Sequence, residues 1–344
     1  MTINKVVLVA TAAVLALVPL PAEVVERVYA DAFYAFLQPV LTAASNVVPF
    51  ALIDVLLLSV VGALAALTVR DVIRGGWARA VGRAIGRLVV GAAGAYLLFL
   101  LAWGFNYRRV RLVDRLPFDR DAVTADAVAR LAAAAVDQLN AGHRAAHAQP
   151  ALADGVVEPA LAGAFDRTVR DLGYARVAVG RPKHTLLDWY FERANVDGMT
   201  DPFFLETLVA GGLLPIERPF VVAHEWSHLA GVAHEGEASF VAWLACERGS
   251  PLDRYSGWIF LYSELLRAAR PRDRAAIAAR LADGPREDLR AMRDRVALHM
   301  SPPVASAGWR VYDSYLKANR VESGAASYSD VVTLALGVRV KRAE

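Results

Sequence analysis

The residues of this chain best equipped for chemistry are His224, Glu225 and His228. They fall in the run Pro219-Phe220-Val221-Val222-Ala223-His224-Glu225-Trp226-Ser227-His228-Leu229-Ala230-Gly231. Pro219 suits the first turn of a helix and Gly231 its end. On such a helix the histidines stand at i and i+4, one above the other on one face. Two imidazoles at that spacing can bind a single Zn²⁺. Glu225 lies about a hundred degrees round the helix. From there it reaches a water at the ion without ligating the metal, which suits a general base. Val221, Val222 and Ala223 let the helix sit in a core, as a rigid site needs. A catalytic zinc also requires a third protein ligand and an open position. The donors next in sequence are in His234-Glu235-Gly236-Glu237-Ala238-Ser239-Phe240.

At these residues the sequence resembles the gluzincin class of zinc metallopeptidases. Their third ligand is a Glu on a following helix, in Glu-x-x-x-Asp or Glu-Gly-x-Ala-x-aromatic patterns. Glu235-Gly236-Glu237-Ala238-Ser239-Phe240 matches the second, and the match implies Glu235 as ligand. Glu237, on the other side of a helix from Glu235, is the alternative ligand or an arginine partner. Ser239 stands where the class often carries an acidic residue that orients a ligand histidine. Over most of its length the chain also resembles the bacterial membrane proteins called domain of unknown function 3810. That likeness rests on Glu23, Tyr29, Pro49-Phe50 and Asp54; on Pro182-Lys183, Gly198, Pro202-Phe203 and Glu206; on the His224–Glu235 block; and on Tyr312-Asp313-Ser314-Tyr315-Leu316-Lys317, Gly324 and Ser327-Tyr328. It implies N-terminal membrane helices followed by an HExxH peptidase domain, and it names no substrate.

A tetrahedral oxyanion would want a further donor. Tyr312, Tyr315, Tyr328, His299 and Arg310 are candidates; Tyr315 and Tyr328 are preferred because they fall in the family-like segment. Glu206, just ahead of the metal helix, is a candidate cleft residue, with an ion-paired Glu as the alternative. His143 and His147 share the i, i+4 spacing but have no adjacent Glu or third ligand, and read as surface residues. The single cysteine, Cys246, reads as a small buried residue and rules out a disulfide framework.

The elements that must position these groups divide at about residue 106. The 344-residue chain is 56% hydrophobic with a net charge of +3, and its long apolar runs crowd the first hundred residues. Runs at 6–21, 50–69 and 88–105 read as about three transmembrane helices. The first is short enough for a signal peptide but lacks a clean small-x-small cleavage site, so it reads as retained. Arg70, Arg74, Arg79, Arg83 and Arg87 between the second and third runs mark the cytoplasmic side. Arg27 is the only basic residue between the first and second, beside Glu23, Glu26 and Asp31. Residues 107–344 then form an extracytoplasmic metallohydrolase domain, although Arg108, Arg109, Arg111 and Arg115 cut against that side. The linker Ala22–Pro49 carries apolar residues at helical spacing, and reads as an amphipathic helix against the membrane or the catalytic domain, or as a plain connector.

In the soluble part, helices are expected at 124–146, 159–172, 219–231, 236–248, 253–270, 272–282, 285–298, 306–321 and 327–337. Short strands are expected near Phe203–Leu208 and Leu213–Ile216, among Gly and Pro breakers. The fold class is mainly α: membrane helices plus an α-rich, zincin-like domain of gluzincin type with a small β-sheet. The expected function is a zinc-dependent metallopeptidase of the bacterial cytoplasmic membrane, acting on a peptide or protein substrate. The alternatives are a zinc hydrolase of a non-peptide envelope substrate, or a membrane scaffold with a structural metal. Nucleic-acid binding is excluded: the arginines have a topological explanation, and no basic-aromatic interleaving is present.

Overall fold

The computed structural model describes residues 3–150, 155–322, 324 and 330–339. The chain is mainly helical with one small sheet. Helix α1 (Ile3–Leu17) is followed by α2 (Ala22–Val24), which runs through π-helical Val25–Tyr34 into α3 (Ala35–Asn46). Next comes α4 (Leu52–Ala102), the one helix among the described residues long and apolar enough to cross a membrane. The second and third apolar runs fall largely inside it. They are separated by a break at Gly76, whose φ of 74° is left-handed and favours glycine. Asp71 pairs with both Arg83 and Arg87. In a straight helix sixteen residues span about 24 Å, so these ion pairs form only because the chain doubles back at Gly76. Each arm, roughly 36–39 Å at 1.5 Å per residue, exceeds a hydrocarbon core of about 30 Å.

Beyond α5 (Leu112–Arg115) come α6 (Ala125–His147) and α7 (Pro159–Asp171), capped by Thr124 and Glu158 respectively. The sheet follows, interrupted by α8 (Asp188–Ala194): β1 (Pro182–Lys183), β2 (Gly198–Asp201) and β3 (Glu206–Val209), in the order β1-β3-β2. β1 runs parallel to β3, with Lys183 opposite Leu208; β2 runs antiparallel to it, with Gly198 opposite Val209. The strand expected at Leu213–Ile216 is instead a turn into the next helix. Pro215 has no N–H to give a ladder, and Leu214 N is bound by the Glu217 carboxylate at 2.9 Å. Strands β1 and β2 are both hidden from a reading that treats Pro182 and Gly198 as breakers.

The remaining elements are helical: α9 (Arg218–Leu229), α10 (Glu235–Glu247), α11 (Pro251–Ala268), α12 (Pro271–Ala279), α13 (Asp283–His299), α14 (Pro302–Ala318) and α15 (Asp330–Gly337). All twelve residues of α9 are buried. It lies at the centre, between the sheet and α10, and Trp226 packs edge-on to Phe165 of α7 at 5.6 Å. The hydrophobic core is continuous across residue 106: Val25, Tyr29, Tyr34, Phe99, Leu100 and Trp103 pack into it with the α6–α11 residues.

The linker Ala22–Pro49 therefore lies against the domain that follows residue 106. Its polar face is bonded into it: Thr42 Oγ1 donates to Leu205 O at 3.0 Å, and Gln38 Nε2 to Ala178 O at 2.7 Å. The arginines after α4 are consumed in the same junction. Arg109 and Arg115 both pair with Glu26, Arg111 pairs with Glu237, and Arg108 Nη2 donates to Leu15 O.

Candidate metal centre

Helix α9 ends as its glycine suggests. Gly231 has φ 84° and follows the C-cap Ala230. Its N–H reaches His228 O at 2.9 Å, and Val232 N reaches Ser227 O at 3.1 Å, a Schellman closure. That reversal turns Val232 O back onto His228 Nδ1 at 2.8 Å. A carbonyl only accepts, so Nδ1 carries the proton and Nε2 presents a lone pair. At His224, Ser239 Oγ, fully buried on α10, lies 3.2 Å from Nδ1, where a hydroxyl can accept from the ring N–H and leave the lone pair at Nε2.

The short loop from α9 to α10 brings Glu235 over both imidazoles. Glu235 Oε2 is 3.1 Å from His224 Nε2 and 3.4 Å from His228 Nε2, and the two Nε2 atoms are 3.2 Å apart. The second oxygen, Oε1, accepts from Tyr312 OH of α14. Three atoms that can each offer a lone pair to a cation, His228 Nε2 on losing its proton, therefore face one another in a buried pocket. For tetrahedral Zn²⁺ at about 2.0–2.1 Å from each ligand, neighbouring ligand atoms sit about 3.3 Å apart. The observed triangle fits that edge length, and the N₂O donor set suits zinc. Burial lowers the His228 pKa, but the charge and hydrogen bond of Glu235, followed by the charge of Glu225, raise it to about 9. Burial pushes the Glu235 carboxyl up, and the two imidazoles overcome this, holding it well below the usual carboxylate range. A proton and a divalent cation thus compete for the same nitrogen.

Glu225 is not part of this triangle. Thr200 Oγ1 of β2 lies 2.9 Å from both its backbone carbonyl and its Oε2. Burial raises the Glu225 carboxyl pKa against the lowering pull of the two histidines and the Thr200 hydrogen bond. The close approach of β2 requires glycine at 198: a Cβ there would stand 2.7 Å from Glu225 Oε1 and 2.9 Å from Val221 Cγ1. The carboxylate, both histidines and Glu235 line a cavity of about 540 Å³. Its other walls are largely apolar and aromatic, with no Lys or Arg among the described residues, and part of one wall is the end of α4 (Ala95, Tyr96 and Phe99) with Trp103 just beyond it.

The remaining sequence candidates are distributed differently. Tyr315 lines the cavity, stacked on Tyr312 at 6.0 Å and edge-on to Tyr107 at 5.9 Å. Burial, opposed by a hydrogen bond with Tyr107, pushes its phenol up to about 12. Tyr328 lies outside the described residues. Glu237 points away from the histidines. It caps α5, accepting from Leu112 N at 3.1 Å, and pairs with Arg111. Glu206 does not line the cavity. It is 1% exposed, paired with Lys183 Nζ at 2.5 Å, and accepts from Leu52 N and Ile53 N at the start of α4. A strand residue bracketed by a buried lysine and a helix N-terminus is an internal ion pair, the alternative weighed for it. His234 stays out of the cluster, with burial and the nearby Arg111 lowering its pKa to about 4. Cys246 is buried and free. Residues that the sequence reading passed over, or named without preferring, are Thr200, Gly198, Trp103 and Tyr312. Only Gly198 and Tyr312 carried a signal, as members of the family-like segments.

The chain matches the family described as Protein of unknown function (DUF3810) over residues 29–336, and it belongs to that family. No curated protein and no solved structure matches it.

Proposed function

We propose that this protein is a membrane-anchored, zinc-dependent peptidase of gluzincin type, with His224, His228 and Glu235 as ligands and Glu225 as general base. The observation that carries the reading is the convergence of three buried acceptor atoms, fixed from behind by Val232, Ser239 and Tyr312, beside a carboxylate that is not one of them. When bound, Zn²⁺ supplies a Lewis acid that acidifies water toward neutrality and polarises a carbonyl oxygen. Glu225, oriented by Thr200, takes a proton from the attacking water and returns it to the leaving amine. Tyr312 holds Glu235 by one oxygen and leaves the other facing the imidazoles. Tyr315 keeps its proton at neutral pH and is the donor assigned to the oxyanion.

β2 is an edge strand and lines the cavity. An extended peptide added to its outer edge would pass Glu225. The aromatic walls favour large apolar side chains. Both ends of α4 reach the catalytic domain, so the doubled helix leaves and returns to one side of the bilayer. Arg70, Arg74, Arg79, Arg83 and Arg87 surround its far turn, which assigns that turn to the cytoplasm and the domain to the outside. The site then opens beside the outer membrane surface, where an envelope protein could present an apolar segment.

The test is cleavage by the full-length protein in detergent or lipid nanodiscs, on a panel of peptides and envelope polymers. Cleavage of peptides that is lost on chelation and in Glu225→Gln, with zinc still bound to that variant, supports the reading. Cleavage confined to the envelope polymers moves the assignment to another bond. Zinc absent from the wild type, or cleavage undiminished in Glu225→Gln, overturns it.

A further inference from the structure

His143 and His147 meet a third potential ligand that lies 141 positions from His147 in the sequence. Asp288 of α13 places Oδ2 3.0 Å from His147 Nε2 and 3.5 Å from His143 Nε2. The same oxygen accepts from Tyr255 OH of α11 at 2.5 Å. The imidazole centroids are 4.3 Å apart with the rings tilted by 37°. One donor atom from each of the three residues lies within 4.8 Å of the others.

Hydrogen bonding alone accounts poorly for this arrangement. A carboxylate oxygen offers two lone pairs. Three groups converge on one oxygen here, and the Tyr255 hydroxyl takes one pair at the shortest range. Only one pair then remains for two rings, and charging both rings would set two cations face to face. A single divalent cation on the two Nε2 atoms and Oδ2 satisfies all three groups at once. The 3.0 and 3.5 Å separations bracket the roughly 3.3 Å ligand–ligand edge of tetrahedral zinc. Tyr255, 2% exposed, is then the residue that orients the ligand carboxylate. Gly284 leaves the room: a Cβ there would stand 2.4–2.7 Å from three atoms of the His143 ring.

We propose that His143, His147 and Asp288 form a second site, for a divalent transition-metal ion, that pins α6 to α13. The side chains of His147 and His143 are 44% and 30% exposed, so solvent completes the coordination. Two imidazoles and a carboxylate suit Zn²⁺, and also Co²⁺, Ni²⁺ and Cu²⁺. The site is open and structural, and it does not depend on the chemistry assigned to the buried centre.

Equilibrium dialysis of the full-length protein against ZnCl₂, followed by metal analysis, tests it. His147→Gln, at the exposed edge of the cluster, and Asp288→Asn, whose side chain is 12% exposed, are each expected to bind one equivalent less than the wild type. In His224→Ala the added zinc is expected to raise the melting temperature, and His147→Gln in that background removes the rise. Equal stoichiometry in wild type and His147→Gln overturns the proposal. An empty buried centre would lower both proteins by the same amount and leave their difference at one, so failure of the peptidase reading is distinguishable from failure of this one.

Discussion

Ser239→Ala tests whether the centre is built to present two Nε2 lone pairs. Ser239 is fully buried, and its hydroxyl faces His224 Nδ1 at 3.2 Å. The substitution deletes that acceptor and leaves a buried N–H to find another. An unmade hydrogen bond of this kind costs about 1–3 kcal/mol, equivalent to roughly 5- to 150-fold in an equilibrium constant. Groups that orient metal-bound histidines are worth about 10- to 100-fold in affinity, so the two routes agree. Zinc affinity is therefore expected to fall by one to two orders of magnitude, read by competition with a chromophoric chelator at fixed pH. Ser227→Ala is the control. Ser227 is equally buried on α9, but its hydroxyl donates to Ala223 O at 2.8 Å within the helix and orients no ligand. It should leave affinity within a factor of about two of wild type. Equal affinities for Ser239→Ala and wild type would refute the tautomer argument, and with it the reason for regarding the three atoms as a ligand set.

Three further outcomes follow from the same geometry. Gly198→Ala forces a methyl against Glu225 Oε1, so hydrolysis should fall by about 10²-fold or more, with zinc content unchanged by metal analysis. Zinc affinity should rise with pH below about 9, by close to tenfold per unit, because binding displaces the proton that Glu235 draws onto His228; a flat chelator titration between pH 6 and 8 would contradict this. Lys183→Met leaves the Glu206 charge buried without its partner and should cost about 3–5 kcal/mol in thermal or denaturant unfolding. Lys183→Met with Glu206→Gln should recover much of that, and neither should alter zinc binding.

What could be read from the sequence was what is local. The i, i+4 histidines and the helix stop at Gly231 follow from helix geometry, and Glu235, within the same dozen residues, was pointed to by the resemblance to the Glu-Gly-x-Ala-x-aromatic pattern. The apolar arms of α4 were equally plain, because length and composition decide them. Groups that act across the fold were hidden. Thr200 orients Glu225 from a strand that Gly198 disguised as a loop, and Gly198 is needed because a Cβ would strike that same carboxylate. Tyr312 touches Glu235 from 77 positions away, a contact that nothing near either residue in sequence indicates. Glu206 resembled a cleft residue because nothing near it in sequence shows that Lys183 and the amides of Leu52 and Ile53 will surround it. A carboxylate's role depends on what desolvates it, and that is a property of packing.

The division at residue 106 marks where the apolar runs end, but the metal helix does not respect it. The last carbonyls of α9 have no partner within their own helix. His228 O accepts from Trp103 Nε1 at 2.9 Å, Leu229 O from Tyr34 OH at 2.9 Å, and Ala230 O from Arg109 Nη1 at 3.4 Å. Two of these donors, Tyr34 and Trp103, come from the N-terminal region, and Arg109 is anchored there by Glu26. Trp103 directly follows the end of α4, so the apolar helix is tied by one hydrogen bond to His228, whose imidazole is a proposed metal ligand. The same helix end also walls the cavity through Tyr96 and Phe99. The apolar helix is therefore a structural part of the candidate centre. An anchor joined only by a flexible linker would not need to satisfy the carbonyls of the helix it carries.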